Sequence, residues 1–107
     1  MNIFQYPNQN EVLGMLTNQN KRIEPTQVFF CYNKRENDLF AVFPEVRTSM
    51  PIFRMSYAHI GQHSEAHVLY IQEAKQATKK QYSDLLKELQ GIYTEGLQVI
   101  TKKEAGF

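Results

Sequence analysis

All three histidines of the chain fall within nine residues, at His59, His63 and His67. Imidazole is the commonest metal ligand among side chains and the one most easily poised as an acid or base near neutral pH, so their clustering marks the stretch for chemistry. The i, i+4, i+8 spacing would align the three on one face of an unbroken helix, but Gly61 interrupts it. Three uses are open: a metal site completed by Glu65, Glu73 or Cys31, a catalytic histidine without metal, or imidazoles that tie down a tight turn through hydrogen bonds. No HExxH or cysteine-pair pattern accompanies them, so a metal held by His59, His63 and His67 is not favoured and no cofactor is called for. The residues singled out as ligand or partner contacts are Tyr57, His59, Gln62 and His63. Gly61 supplies the backbone freedom for an ordered corner after a strand, and the expectation is that one or both imidazoles there bond to backbone, a carboxylate or a hydroxyl.

Other chemistry is harder to find. Cys31 lies between Phe30 and Tyr32 in an apolar run, where a cysteine acts as a small buried hydrophobe, and no activating neighbour is visible. There is no glycine-rich phosphate loop, no GxSxG elbow and no recognisable carboxylate pair. Phe29, Tyr32, Phe40, Phe43, Phe53 and Tyr57 could include a base-stacking platform for single-stranded nucleic acid, but a chain without Trp must fill its interior with such rings.

Charge limits the partners. The net charge of +1 is spread evenly, with 6 basic against 5 acidic residues up to Arg54 and 6 against 6 after it, which makes neither half a nucleic-acid arm. Short basic pairs at Lys21-Arg22, Lys34-Arg35, Lys79-Lys80 and Lys102-Lys103 read as solvated turn and helix-end charges. No apolar run approaches the ~20 residues of a membrane-spanning helix, and Met1 to Pro7 lack the basic flank and apolar core of a secretory signal, so a cytoplasmic protein without a membrane partner is expected. A lone cysteine agrees with a reducing compartment.

The elements that must position these residues follow from period and punctuation. Asn8 with Glu11 resembles a capping box, and Val12, Leu13 and Leu16 predict a short helix over Gln9 to Gln19. Gln27 to Tyr32 and Leu39 to Phe43, joined by an Asn- and Asp-rich turn, read as a β-hairpin. Both strands are apolar on nearly every residue, so the sheet is covered on both faces or one face meets another chain, and a homodimer is expected. A third strand runs from Ile52 to His59, with Phe53, Met55, Tyr57 and His59 on one face. Over Gln62 to Ala77 the pattern fits strand or helix equally well. Thr78 with Gln81 caps an amphipathic helix bearing Tyr82, Leu85, Leu86, Leu89 and Tyr93, stopped at Gly96 or Gly91, before a closing strand at Leu97 to Thr101 and a fraying tail at Lys102 to Phe107. The expectation is a single α+β domain over 1–107, with an N-terminal helix-and-loop extension over 1–26 and a core over 27–101. Its order is α-β-β-β-α-β, with a mainly antiparallel sheet of about four to five strands and the second helix packed on one face.

The residues Ala41-Val42-Phe43-Pro44-Glu45, then Ser56 to His63, then Ala77-Thr78-Lys79-Lys80-Gln81-Tyr82-Ser83-Asp84-Leu85-Leu86 with Glu88-Leu89 resemble an "ALFPE…SYxHVGQH…PATxxEYxDLxxEL" pattern. It is that of a set of small uncharacterised bacterial proteins carried by plasmids, prophages and conjugative elements. The resemblance covers about Val28 to Ile100, with Ile60 for the usual valine and Gln76 where a proline often stands. It implies a genomic setting and adds weight to Tyr57 to His63, without implying a mechanism. The function expected is a small binding or accessory protein acting on a protein partner or on itself. The alternatives are a hydrolase or nuclease using His59 and His63, and single-strand nucleic-acid binding through the sheet.

Overall fold

The computed structural model describes residues 25–58 and 62–107; the expected helix at Gln9 to Gln19 and the corner residues His59 to Gly61 lie outside them. Strands β1 (Thr26–Asn33) and β2 (Asp38–Phe43) form the expected antiparallel hairpin, with Phe29 opposite Val42 and Asn33 opposite Asp38. Two asparagines tie its turn. Asn33 Oδ1 accepts from the Glu36 N–H at 3.1 Å, and Asn37, at φ 51°, accepts the Tyr32 hydroxyl at 2.8 Å. Asparagine tolerates the left-handed region better than most residues with a Cβ, which suits it to this position.

Strand β3 (Phe53–Ala58) pairs antiparallel with β2, and β4 (Gln62–His67) pairs antiparallel with β3. The chain then runs through α1 (Val68–Glu73), β5 (Lys75–Gln76), α2 (Lys79–Ile92) and β6 (Leu97–Val99). The result is α+β with a mainly antiparallel sheet, but with six strands in the described order β-β-β-β-α-β-α-β rather than four to five. β4 is the main addition. Its sequence, Gln-His-Ser-Glu-Ala-His, carries no apolar alternation because it forms the outer strand of the order β4-β3-β2-β1-β5, where backbone pairing to one neighbour suffices.

The far edge of β1 is shared by two short strands. β6 runs parallel to Thr26–Val28, β5 antiparallel to Cys31–Tyr32, and the Ile100 and Ala77 N–H groups donate to the Val28 and Phe30 carbonyls at 2.9 and 2.8 Å.

Alternation along β1 explains its unbroken apolar sequence. Val28 and Phe30 join Ala41, Phe43, Tyr57, Leu85 and Leu89 in a core beneath α2, while Phe29 and Cys31 join Phe40, Val42, Ile71 and Ala74 beneath α1. Both faces are therefore covered within the chain. The Thr78–Gln81 capping box forms as expected, with Gln81 N–H to Thr78 Oγ1 at 3.2 Å and Thr78 N–H to Gln81 Oε1 at 2.8 Å. Leu85 and Leu89 are fully buried, Leu86 is half-buried, and Tyr82 stacks on Phe30 at 4.2 Å. The helix ends at neither glycine: Gly91 stays inside it, Tyr93 is its C-cap, and Gly96, at φ 107°, makes the turn that launches β6.

The tail does not fray. Glu104 Oε1 accepts the Thr101 N–H at 2.7 Å and the Glu104 N–H returns to Thr101 Oγ1 at 3.0 Å. Lys102 Nζ donates to the Gln72 and Ala74 carbonyls at the end of α1, and Phe107 lies 5.7 Å from Phe29. A reciprocal cap and an aromatic contact to the buried Phe29 hold the segment. Among the described residues no helix is long and apolar enough to cross a membrane.

Candidate functional site

Strand register assembles the site. Tyr57 on β3 stands opposite Ala41 on β2 and His63 on β4, and the Tyr57 and His63 rings meet edge-on at 4.8 Å. Phe43, from β2, lies 5.9 Å from the His63 ring and stacks on Tyr93 at 5.1 Å. Two polar links from the end of α2 close the cluster. The Tyr93 hydroxyl pairs with His63 Nε2 at 2.8 Å, and the Tyr57 hydroxyl donates to the Glu88 carboxylate.

Exposure grades across the site. Tyr57 is buried, Tyr93 and Glu88 are half-buried, and His63 is open to solvent. The Glu88 carboxylate, and burial after it, push the Tyr57 phenol above its usual 10, and burial raises Tyr93. Both phenols therefore keep their protons at neutral pH. The cluster presents an imidazole to solvent, braced behind by two protonated phenols and a carboxylate, an array able to give and take hydrogen bonds without first being ordered.

The other expected residues are dispersed. Gln62 is placed by its backbone pairing with Ala58. His67 stands apart at the start of α1, where Nδ1 accepts the Leu69 N–H at 3.0 Å and the ring meets Phe53 edge-on at 6.0 Å, a capping role. Glu65 accepts the Ser49 N–H at 2.7 Å and the Ser49 hydroxyl at 2.6 Å, which hold its carboxyl below the usual range. Glu73 accepts from Arg35 at 3.1 Å. Cys31 lies on the opposite face of the sheet, and burial pushes its thiol up to about 11 against the pull of Lys102. Among the described residues no group of three or more His, Cys, Asp or Glu could hold a metal ion.

Of the corner, the described imidazole, His63, does bond a hydroxyl. That hydroxyl belongs to Tyr93, thirty residues on, rather than to the corner itself. Ser64, another neighbour on β4, bonds Ser56 instead, on the α1 side of the sheet. Of the six rings that could include a base-stacking platform, Phe29, Phe40, Phe43 and Tyr57 are buried under the two covering layers, and Tyr32 and Phe53 are half-buried. Sequence pattern counted Tyr93 only as the last member of an apolar stripe and gave Glu88 no role. The available signal was the hydroxyl itself, since a tyrosine ending a leucine stripe carries a polar tip that needs a partner.

The chain gives no match to family models, to curated proteins or to solved structures.

Proposed function

We propose that this is a small cytoplasmic binding protein, of the accessory kind carried by mobile elements, acting through protein contacts centred on His63. The 2.8 Å link between His63 and Tyr93 carries the reading, because it fixes an exposed imidazole from behind while leaving its solvent side open. Ring side chains held in place before contact lose little freedom on binding, which favours them as anchors of an interface. Affinity capture tests the reading: a partner held by the native chain and lost by His63→Ala and Tyr93→Phe, at unchanged melting temperature, supports it, and equal capture by all three overturns it. The same surface serves the homodimer form, for which light scattering at high micromolar concentration gives a dimer mass that His63→Ala reduces; a monomer mass in the native chain removes self as the partner.

A second reading, a hydrolase or nuclease, draws on an imidazole and a carboxylate held in one cluster, His63 bonded to Tyr93 and Glu88 to Tyr57. Hydrolysis of ester, RNA or DNA substrates that is lost in both His63→Ala and Glu88→Gln would favour it over binding, and metal analysis of untagged protein would decide its metal dependence.

A further inference from the structure

The largest of the three cavities, about 510 Å³, lies away from His63, walled by the end of β1 and its turn, the end of α1, β5 and the first turn of α2. Two amide side chains on its wall have their oxygens already committed. Asn33 Oδ1 takes the Glu36 N–H, and Gln81 Oε1 takes the Thr78 N–H. A backbone N–H only donates, so chemistry fixes which end of each amide is the oxygen, and what each has left is an NH2 group. Asn33 is only 5% exposed, and its Nδ2 finds no partner among the described residues. A buried donor left unpaired is costly unless something arrives to accept from it.

The charges on the wall agree. Lys34 and Lys75 both line the cavity, and neither is in an ion pair among the described residues. The one carboxylate there, Glu73, is already engaged by Arg35 at 3.1 Å. Residues bearing ammonium and amide donors thus line a space within the ~300–1,000 Å³ range of small-molecule sites, and the one carboxylate on that lining is paired with Arg35. The matching ligand offers acceptors alone and carries negative charge.

We propose that this cavity binds a small phosphate-bearing molecule of nucleotide size, its phosphate oxygens accepting from Lys34, Lys75, Asn33 and Gln81. Phosphate satisfies both amide donors without supplying a proton of its own, and its charge is balanced by the two lysines. The site is separate from the His63 cluster, on the opposite side of the β2–β3 pair in the strand order.

Isothermal titration of the full chain with pyrophosphate and with ADP at physiological salt tests this. The expected result is saturable binding of one molecule per chain, weakened about tenfold or more by the Lys34→Ala/Lys75→Ala double variant. Gln81→Glu is the sharper variant: it keeps an oxygen for the Thr78 N–H, so the melting temperature holds, but it replaces the donor with an anionic acceptor and weakens binding by about tenfold or more. His63→Ala binds as the native chain does. The proposal is overturned if neither probe saturates, if the Lys34→Ala/Lys75→Ala and Gln81→Glu variants bind like the native chain, or if only a single-stranded oligonucleotide binds, with affinity rising with its length.

Discussion

The Tyr57 hydroxyl donates to the carboxylate of Glu88, 31 residues further along the chain, and so joins the third strand to the helix that covers it. Removing the hydroxyl in Tyr57→Phe keeps the ring in the core but deletes this tie. The expected outcome is a lowered melting temperature with the far-ultraviolet spectrum unchanged, and a native melting temperature would show that the bond adds nothing to stability.

Alkali should unfold the protein through its phenols. Burial and the Asp38 carboxylate, which accepts the Tyr70 hydroxyl at 2.7 Å, push Tyr70 up to about 12, and Tyr57 is raised as well. A raised folded value means that the contribution is complete below the ordinary 10 and is lost as pH climbs through about 12. Melting temperature should therefore fall between these values, in step with phenolate absorbance near 295 nm, and less steeply in Tyr70→Phe.

At the acid end the relevant group is Glu65, which clamps the loop at Ser49 through two hydrogen bonds. Its folded value is depressed, so its contribution is present above the ordinary 4.5 and is lost as pH falls below that. Hydrogen exchange at the Ser49 amide should accelerate there, relative to amides in β2. Glu65→Gln should show the faster exchange already at neutral pH.

Leu89 is fully buried against the sheet, whereas Leu86 is half-buried on the same helix. Leu89→Ala should cost about 2 to 5 kcal/mol by urea denaturation, and Leu86→Ala less than the lower end of that range. Equal losses would mean that the stripe is buried evenly.

Cys31 should be silent in the folded state. With the thiol fully buried and pushed up to about 11, a disulfide reagent at pH 8 should react only as fast as the chain opens. Immediate stoichiometric labelling would contradict its placement.

Legibility followed the physics of each segment. The hairpin and α2 were readable because their burial is written in period: Val28 and Phe29 face opposite cores, and Leu85 and Leu89 repeat at helical spacing beside a capping box that forms as expected. β4 was not, since a strand held by backbone bonds at an edge needs no apolar signature. His63 and Tyr57 stood out as residue types, and their meeting across β3 and β4 depends on register, which the polar β4 sequence does not specify. Their partners on α2 were hidden for a different reason: a helix stripe reports what is buried, and says nothing about a hydroxyl or carboxylate reaching across to another element.

The split edge of β1 bears on the order in which the molecule can be made. Strands β1 to β4 form a meander of near neighbours, whereas Thr26–Val28 find their parallel partner only at Leu97–Val99. Pairing across so long a separation pays its loop-closure entropy late, so this contact belongs to the final stage of folding. During synthesis from the N-terminal side, Thr26–Val28 keep one row of backbone donors and acceptors open, beside Phe29 and Phe30, until Leu97–Val99 have left the ribosome. A nascent chain stalled before Leu97 would therefore present a sticky apolar edge, and chaperone capture or aggregation should peak at such lengths.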